Sequence, residues 1–199
     1  MARPNQTSRT RRDLLRAAAR LMKAGHKFTL EDVAADAMVS RATAYRYFSS
    51  VEALMVEAPL DGVTPSPADL FETVASTDPV ERLLLVDTAL HDMIADNEPA
   101  LRLMLSQTVQ RACDDHHDDQ EIPVRQNRRT ALIEAALEPA RGEFTPAALS
   151  TLAKSLSLII GTESMVVTKD VLRLDASDAR QVRHWAIRAL VDSARRTEA

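Results

Sequence analysis

Arg41, Thr43, Tyr45, Arg46 and Tyr47 crowd into seven residues directly after Ser40, within the run Phe28–Leu54, FTLEDVAADAMVSRATAYRYFSSVEAL. Guanidinium groups fork onto guanine edges or phosphates, and a threonine offers a hydroxyl to phosphate or a methyl to thymine. Tyr45 and Tyr47 add phenol hydroxyls on a helix that is too short to need both rings as core. This is recognition chemistry rather than bond-making chemistry. The chain has no Gly-rich phosphate loop, no GxSxG, no HExxH and no CxxC, so the sequence calls for neither an enzyme nor a cofactor. Asp114, Asp115, His116, His117, Asp118 and Asp119 offer metal-ligand types. Adjacent ligands in one loop rarely close a tetrahedron, and the run reads as a solvated acidic loop with no metal.

Short capped helices must hold those groups. Thr29 caps a helix that turns Leu30, Val33, Ala34 and Ala37 inward, with Glu31 and Asp32 in its first turn. A tight turn through Met38 and Val39 leads to Ser40, the cap of a third helix over Arg41 to Tyr47, with Val39, Ala44 and Phe48 inward. Free amides at the start of that helix favour phosphate. A first helix from about Ser8 to Ala24 carries Leu14, Leu15, Ala18, Leu21 and Met22 at helical spacing. Ser49 or Ser50 caps a fourth helix, which cannot run far past Pro59. Two short helices joined by a tight turn in a basic segment form a helix-turn-helix, whose second helix enters the major groove. The candidate DNA-binding residues are Thr29, Ser40, Arg41, Ala42, Thr43, Tyr45, Arg46, Tyr47 and Ser50.

This segment resembles the TetR family of helix-turn-helix transcriptional regulators. The likeness rests on Val33-Ala34, Ala37, Val39-Ser40, Thr43, Tyr45, Tyr47-Phe48 and Leu54, and it covers residues 8–57. Two departures stand out. Met38 occupies the place of the usual turn glycine, and Val51 that of a phosphate-binding lysine; Ala44 is also smaller than usual. The resemblance implies a dimer reading a palindromic double-stranded DNA operator, most often a repressor, released by a small-molecule effector.

The expected fold is all-α, with a three-helix head at residues 1–57 and a larger helical effector-binding and dimerisation domain at 58–199. Charge follows that division. Residues 1–57 hold ten Lys/Arg against six Asp/Glu, and residues 58–199 hold fifteen against twenty-three. A basic head on an acidic body suits one local polyanion contact. Aromatic residues at 4% are too few for a base-stacking platform. With Cys113 the only cysteine, no disulfide framework is possible, and a soluble cytoplasmic protein with no membrane contact is expected.

Beyond the head, helices are expected at about 68–75, 79–94, 99–109, 124–140, 146–168 and 177–196. Met93, Leu101, Met104, Leu105, Leu132 and Leu156 could line an effector cavity or serve as plain core. Leu152, Ile159, Ile160, Trp185 and Leu190, on the last two helices, are the candidate homodimer interface. A different reading stays open: a helical ligand-binding or adaptor protein with a weakened or vestigial DNA-binding head.

Overall fold

The computed structural model describes residues 4–24, 27–113 and 127–196, and no strand occurs among them. In chain order the helices are α1 (Pro4–Ala24), α2 (Leu30–Asp36), α3 (Arg41–Tyr47), α4 (Val51–Val63), α5 (Pro67–Phe71) and α6 (Pro79–Asp96). Then come α7 (Glu98–Cys113), α8 (Arg128–Leu137), α9 (Pro146–Ile159), α10 (Thr162–Val166) and α11 (Ala176–Arg195). The all-α expectation holds. The acidic loop from Asp114 to Asp119 lies outside the described residues.

The chain divides into two units, residues 1–63 with 97–126 and residues 64–96 with 127–199. The boundary expected after Glu57 therefore falls inside α4, which runs four residues past Pro59. Pro59 removes one backbone donor, but buried Ala58 and Leu60 on either side of it hold the last turn down.

In the first unit, Leu14, Leu15 and Ala18 of α1 pack with Leu30 and Val33 of α2, Ala44 of α3 and Leu54 of α4. Helix α1 begins at Pro4 rather than Ser8, since proline is tolerated in a first turn where no amide bond is due. Arg11 crosses this core almost wholly buried. Its guanidinium donates to Glu57 at 2.6 and 3.2 Å and to the Tyr47 carbonyl at 3.3 Å. One side chain thus joins α1, α4 and the end of α3. Helix α7 packs on α4.

The second unit centres on Leu83, Val86 and Leu90 of α6, Leu132 and Ile133 of α8, Leu152 and Leu156 of α9, and Ile187 and Val191 of α11. Two arginines satisfy carbonyls that helix ends leave without partners. Arg82 donates to Ala135 and Ala136 at the end of α8, at 3.0 and 3.1 Å. Arg129 donates to Ser157 and Ile160 at the end of α9, at 2.7 and 3.2 Å, and pairs with Glu163. The single helix expected over 146–168 is broken there. Gly161 adopts φ 149°, a conformation open to glycine alone, and the chain resumes as α10 followed by a π-helical turn at Val167–Val171.

Asp87 of α6 is fully buried and accepts from Arg183 of α11 at 3.0 Å, with His91 Nδ1 3.1 Å and His184 Nε2 3.3 Å away. Burial holds the His184 imidazole below its ordinary value of 6.5, outweighing the pull of Asp87, and Arg183, Arg188 and Arg180 add to the depression. Burial alone would push Asp87 up, but His91 and Arg183 hold it below 3.8. Both shifts have the same consequence. As pH falls through 6.5, the unfolded chain takes up a proton that native His184 refuses, and below 3.8 the same holds for Asp87. The denaturation midpoint should fall from pH 7.5 to pH 5 and again on further acidification. His184→Gln should flatten the first step. A midpoint that rises on mild acidification would reverse this assignment.

Candidate nucleic-acid interface

Helix α2 opens on a reciprocal cap. The Thr29 amide donates to Asp32 at 2.8 Å, and the Asp32 amide donates to the Thr29 hydroxyl at 3.3 Å. It closes on a Schellman motif, in which the Val39 amide reaches the Ala34 carbonyl at 2.9 Å and the Met38 amide reaches Ala35 at 3.1 Å. That motif needs a left-handed residue, and Met38 supplies it at φ 54° with its side chain 92% exposed. The turn has therefore not shifted to suit methionine. It keeps its geometry at a backbone cost of about 1–2 kcal/mol.

Ser40 then caps α3, accepting from the Thr43 amide at 3.0 Å and lying 2.8 Å from the Thr43 hydroxyl. Arg41, Ala42, Tyr45 and Arg46 form the exposed side of the helix, while Ala44 and Tyr47 turn inward. Tyr47 corrects the expectation from sequence. Its ring is only 3% exposed and belongs to the head core, because the inward face of a seven-residue helix must carry its bulk at 44 and 47. The Arg46 guanidinium lies 5.8 Å from the Tyr47 ring centre and that of Arg41 5.5 Å from Tyr45. Ser50, not Ser49, caps α4 by accepting from the Ala53 amide at 3.2 Å.

Sequence reasoning placed Glu31 in the first turn of α2 and gave it no further part. In the structure its carboxylate receives the Tyr45 hydroxyl at 3.0 Å and pairs with Arg41 Nε at 2.9 Å. Backbone hydrogen bonding first, then the Tyr45 hydroxyl, hold this carboxyl below the usual range, and the Arg41 charge contributes. The link joins positions ten and fourteen residues apart across the turn, so no local pattern could announce it.

Two capped helices at a fixed turn, with two arginines and a tyrosine outward, define a DNA-binding helix-turn-helix. Residues 14–58 match the family described as bacterial regulatory proteins, tetR family. The chain carries the DNA-binding domain of that family and is a DNA-binding transcriptional regulator. No curated relative and no solved structure matches it.

Val51, at the start of α4, is half-buried against the head core. Val51→Lys should keep its stem packed while the ammonium reaches outward. Binding should tighten on all sequences alike, and the salt dependence should steepen by about 0.9 for each phosphate newly neutralised. Titrations on specific and random DNA at several salt concentrations check this. An unchanged slope would mean that residue 51 does not face the DNA backbone.

The other candidate sites fare differently. Met93, Leu132 and Leu156 lie in the second unit, and Leu101, Met104 and Leu105 in the first. Leu132 and Leu156 are packed core of their own unit. The second unit does contain a cavity of about 810 Å³ between α8, the 3-10 extension Glu138–Glu143 and α9. Leu137, Phe144 and Leu149 line it together with Glu134, Arg141 and Lys154, and it includes none of the six expected residues. Of the expected dimer residues, Leu152 and Ile160 are core with no surface to give a partner, and Leu190 packs against that core. Ile159 is half-buried. Trp185 alone is open, at 70% exposure. The apolar surface that α9 and α11 do present comes from Leu158, Val182 and Trp185. No described helix is long and apolar enough to cross a membrane.

Proposed function

We propose that this regulator is a cytoplasmic repressor that binds a palindromic operator as a homodimer and leaves it when a small effector binds the helical body. The observation that carries the reading is the outward face of α3, where Arg41, Ala42, Tyr45 and Arg46 are all exposed on a helix that its own caps and core hold in place. Arg46 and Arg41 read base edges, while Thr43 sets the register on phosphates. The exposed Trp185, Val182 and Leu158 supply apolar surface for an isologous contact. The cavity between α8 and α9 supplies an apolar floor and a charged rim for an effector. A coupling of about 1–3 kcal/mol between effector and DNA suffices for release. An adaptor with a vestigial head gains nothing from Met38, which preserves the turn.

Selection of binding sites from random-sequence duplex DNA tests the reading. Enrichment of an inverted repeat is expected, with half-sites one or more helical turns of about 10 bp apart. Arg46→Ala should then lose preference at one position per half-site, at a cost of about 1–3 kcal/mol. A uniform loss on all single-base variants would make Arg46 a phosphate contact. Enrichment of a single unrepeated half-site would remove the dimer.

A further inference from the structure

Arg41 and Tyr45 are two of the outward groups of the recognition helix, and both end on one carboxylate that no part of the DNA-binding reading uses. We propose that Glu31 is a specificity-determining positioning residue: it holds Arg41 through Nε so that the terminal amino groups are presented as a fork to a guanine edge, and it makes Arg41 a poor ligand for phosphate. The proposal rests on the sequence-specific reading above.

The geometry supplies both halves of the effect. Contact at Nε, 2.9 Å from the carboxylate, fixes the guanidinium plane while leaving the pair of terminal nitrogens that matches guanine O6 and N7. The Tyr45 hydroxyl holds the same Glu31 oxygen at 3.0 Å, and the Tyr45 ring lies under the guanidinium at 5.5 Å. Arg41 is thus held from two sides although its side chain is 72% exposed. A free arginine on this surface would satisfy any phosphate within reach, and phosphate contacts carry no base information. A carboxylate already paired with Arg41 repels phosphate oxygens and subtracts one positive charge from the face, which lowers affinity for all DNA equally. Glu31 therefore trades general affinity for discrimination.

The experiment is selection from random duplex DNA with wild type, Glu31→Gln, Arg41→Lys and the double variant, followed by titration on the selected site and on random DNA. Glutamine keeps the size of Glu31 and removes its charge. Glu31→Gln should bind random DNA more tightly and with a steeper salt dependence. It should also lose roughly fivefold or more of the preference at one base pair per half-site. That base pair should be the one lost in Arg41→Lys, and the double variant should lose no more than Arg41→Lys alone. Thermal melts should fall only slightly, since the Thr29–Asp32 cap is kept and Glu31 adds only its charge to the first turn of α2. An unaltered selected site in Glu31→Gln overturns the proposal. So does a further loss in the double variant at a different base pair, which would mean that Glu31 reads a base itself. A wild type that enriches no sequence overturns the sequence-specific reading instead, and the two failures are distinct.

Discussion

Glu57→Ala should destabilise the DNA-binding unit by about 3–5 kcal/mol, the cost of leaving a buried guanidinium without its partner. Both Arg11 and Glu57 side chains are at most 6% exposed, and the pair is bidentate. Substituting both partners, in Arg11→Met/Glu57→Leu, should give a head close to wild type in stability or better, because the desolvation penalty disappears with the charges. Urea unfolding of the two variants followed by helical circular dichroism separates the cases. If the single variant loses under 1 kcal/mol, water reaches the pair and Arg11 is not the tie between α1, α3 and α4 described above. The double variant has a second use. Arg11 also donates to the Tyr47 carbonyl, so a head that is stable yet binds DNA poorly would show that this bond helps to set the end of the recognition helix.

The second large effect concerns assembly. Val182 and Trp185 lie three residues apart on α11, hence on one side of it, and both are largely exposed. Val182→Glu/Trp185→Glu should sediment as a monomer at micromolar concentration and still melt cooperatively, since neither residue belongs to the core of its unit. Binding to a full palindrome should fall by about 10²–10⁴, the factor that linkage of two heads contributes, while a single half-site is bound as before. A charged variant that remains dimeric would move the interface elsewhere. Ile160 is no substitute for this test. It is fully buried, and a charge there would unfold the unit rather than separate two copies.

Much of the head was legible because its signals are local. Ser40 and Tyr47 bound α3 as read, since a serine cap, seven residues and an inward Phe48 leave little freedom. The errors share a cause: each turned on which side of a helix meets a neighbour. Tyr45 and Tyr47 are chemically alike, and only the rotation of α3 against α1 and α4 buries one and exposes the other. Helix α9 carries apolar residues around much of its circumference, and only its packing against α8 and α11 buries Leu152 and leaves Leu158 exposed. Gly161 sat within a periodic apolar run, where one glycine is tolerated, and nothing nearby signalled a positive φ. The hold of Glu31 on Arg41 and Tyr45 exists only once the turn has folded.

Gly161 also constrains how this chain can change over generations. A β-carbon built there would lie 2.4 Å from Arg129 Nη1 and 2.6 Å from its Cζ, and the same guanidinium is committed to the Ser157 and Ile160 carbonyls. A side chain at 161 would push the guanidinium off those carbonyls, and the φ of 149° would strain it besides. If the arginine goes first, the two carbonyls lose their donor. In related chains, Arg at 129 should therefore always be accompanied by Gly at 161, whereas Gly at 161, held by its φ of 149°, should outlast a loss of the arginine.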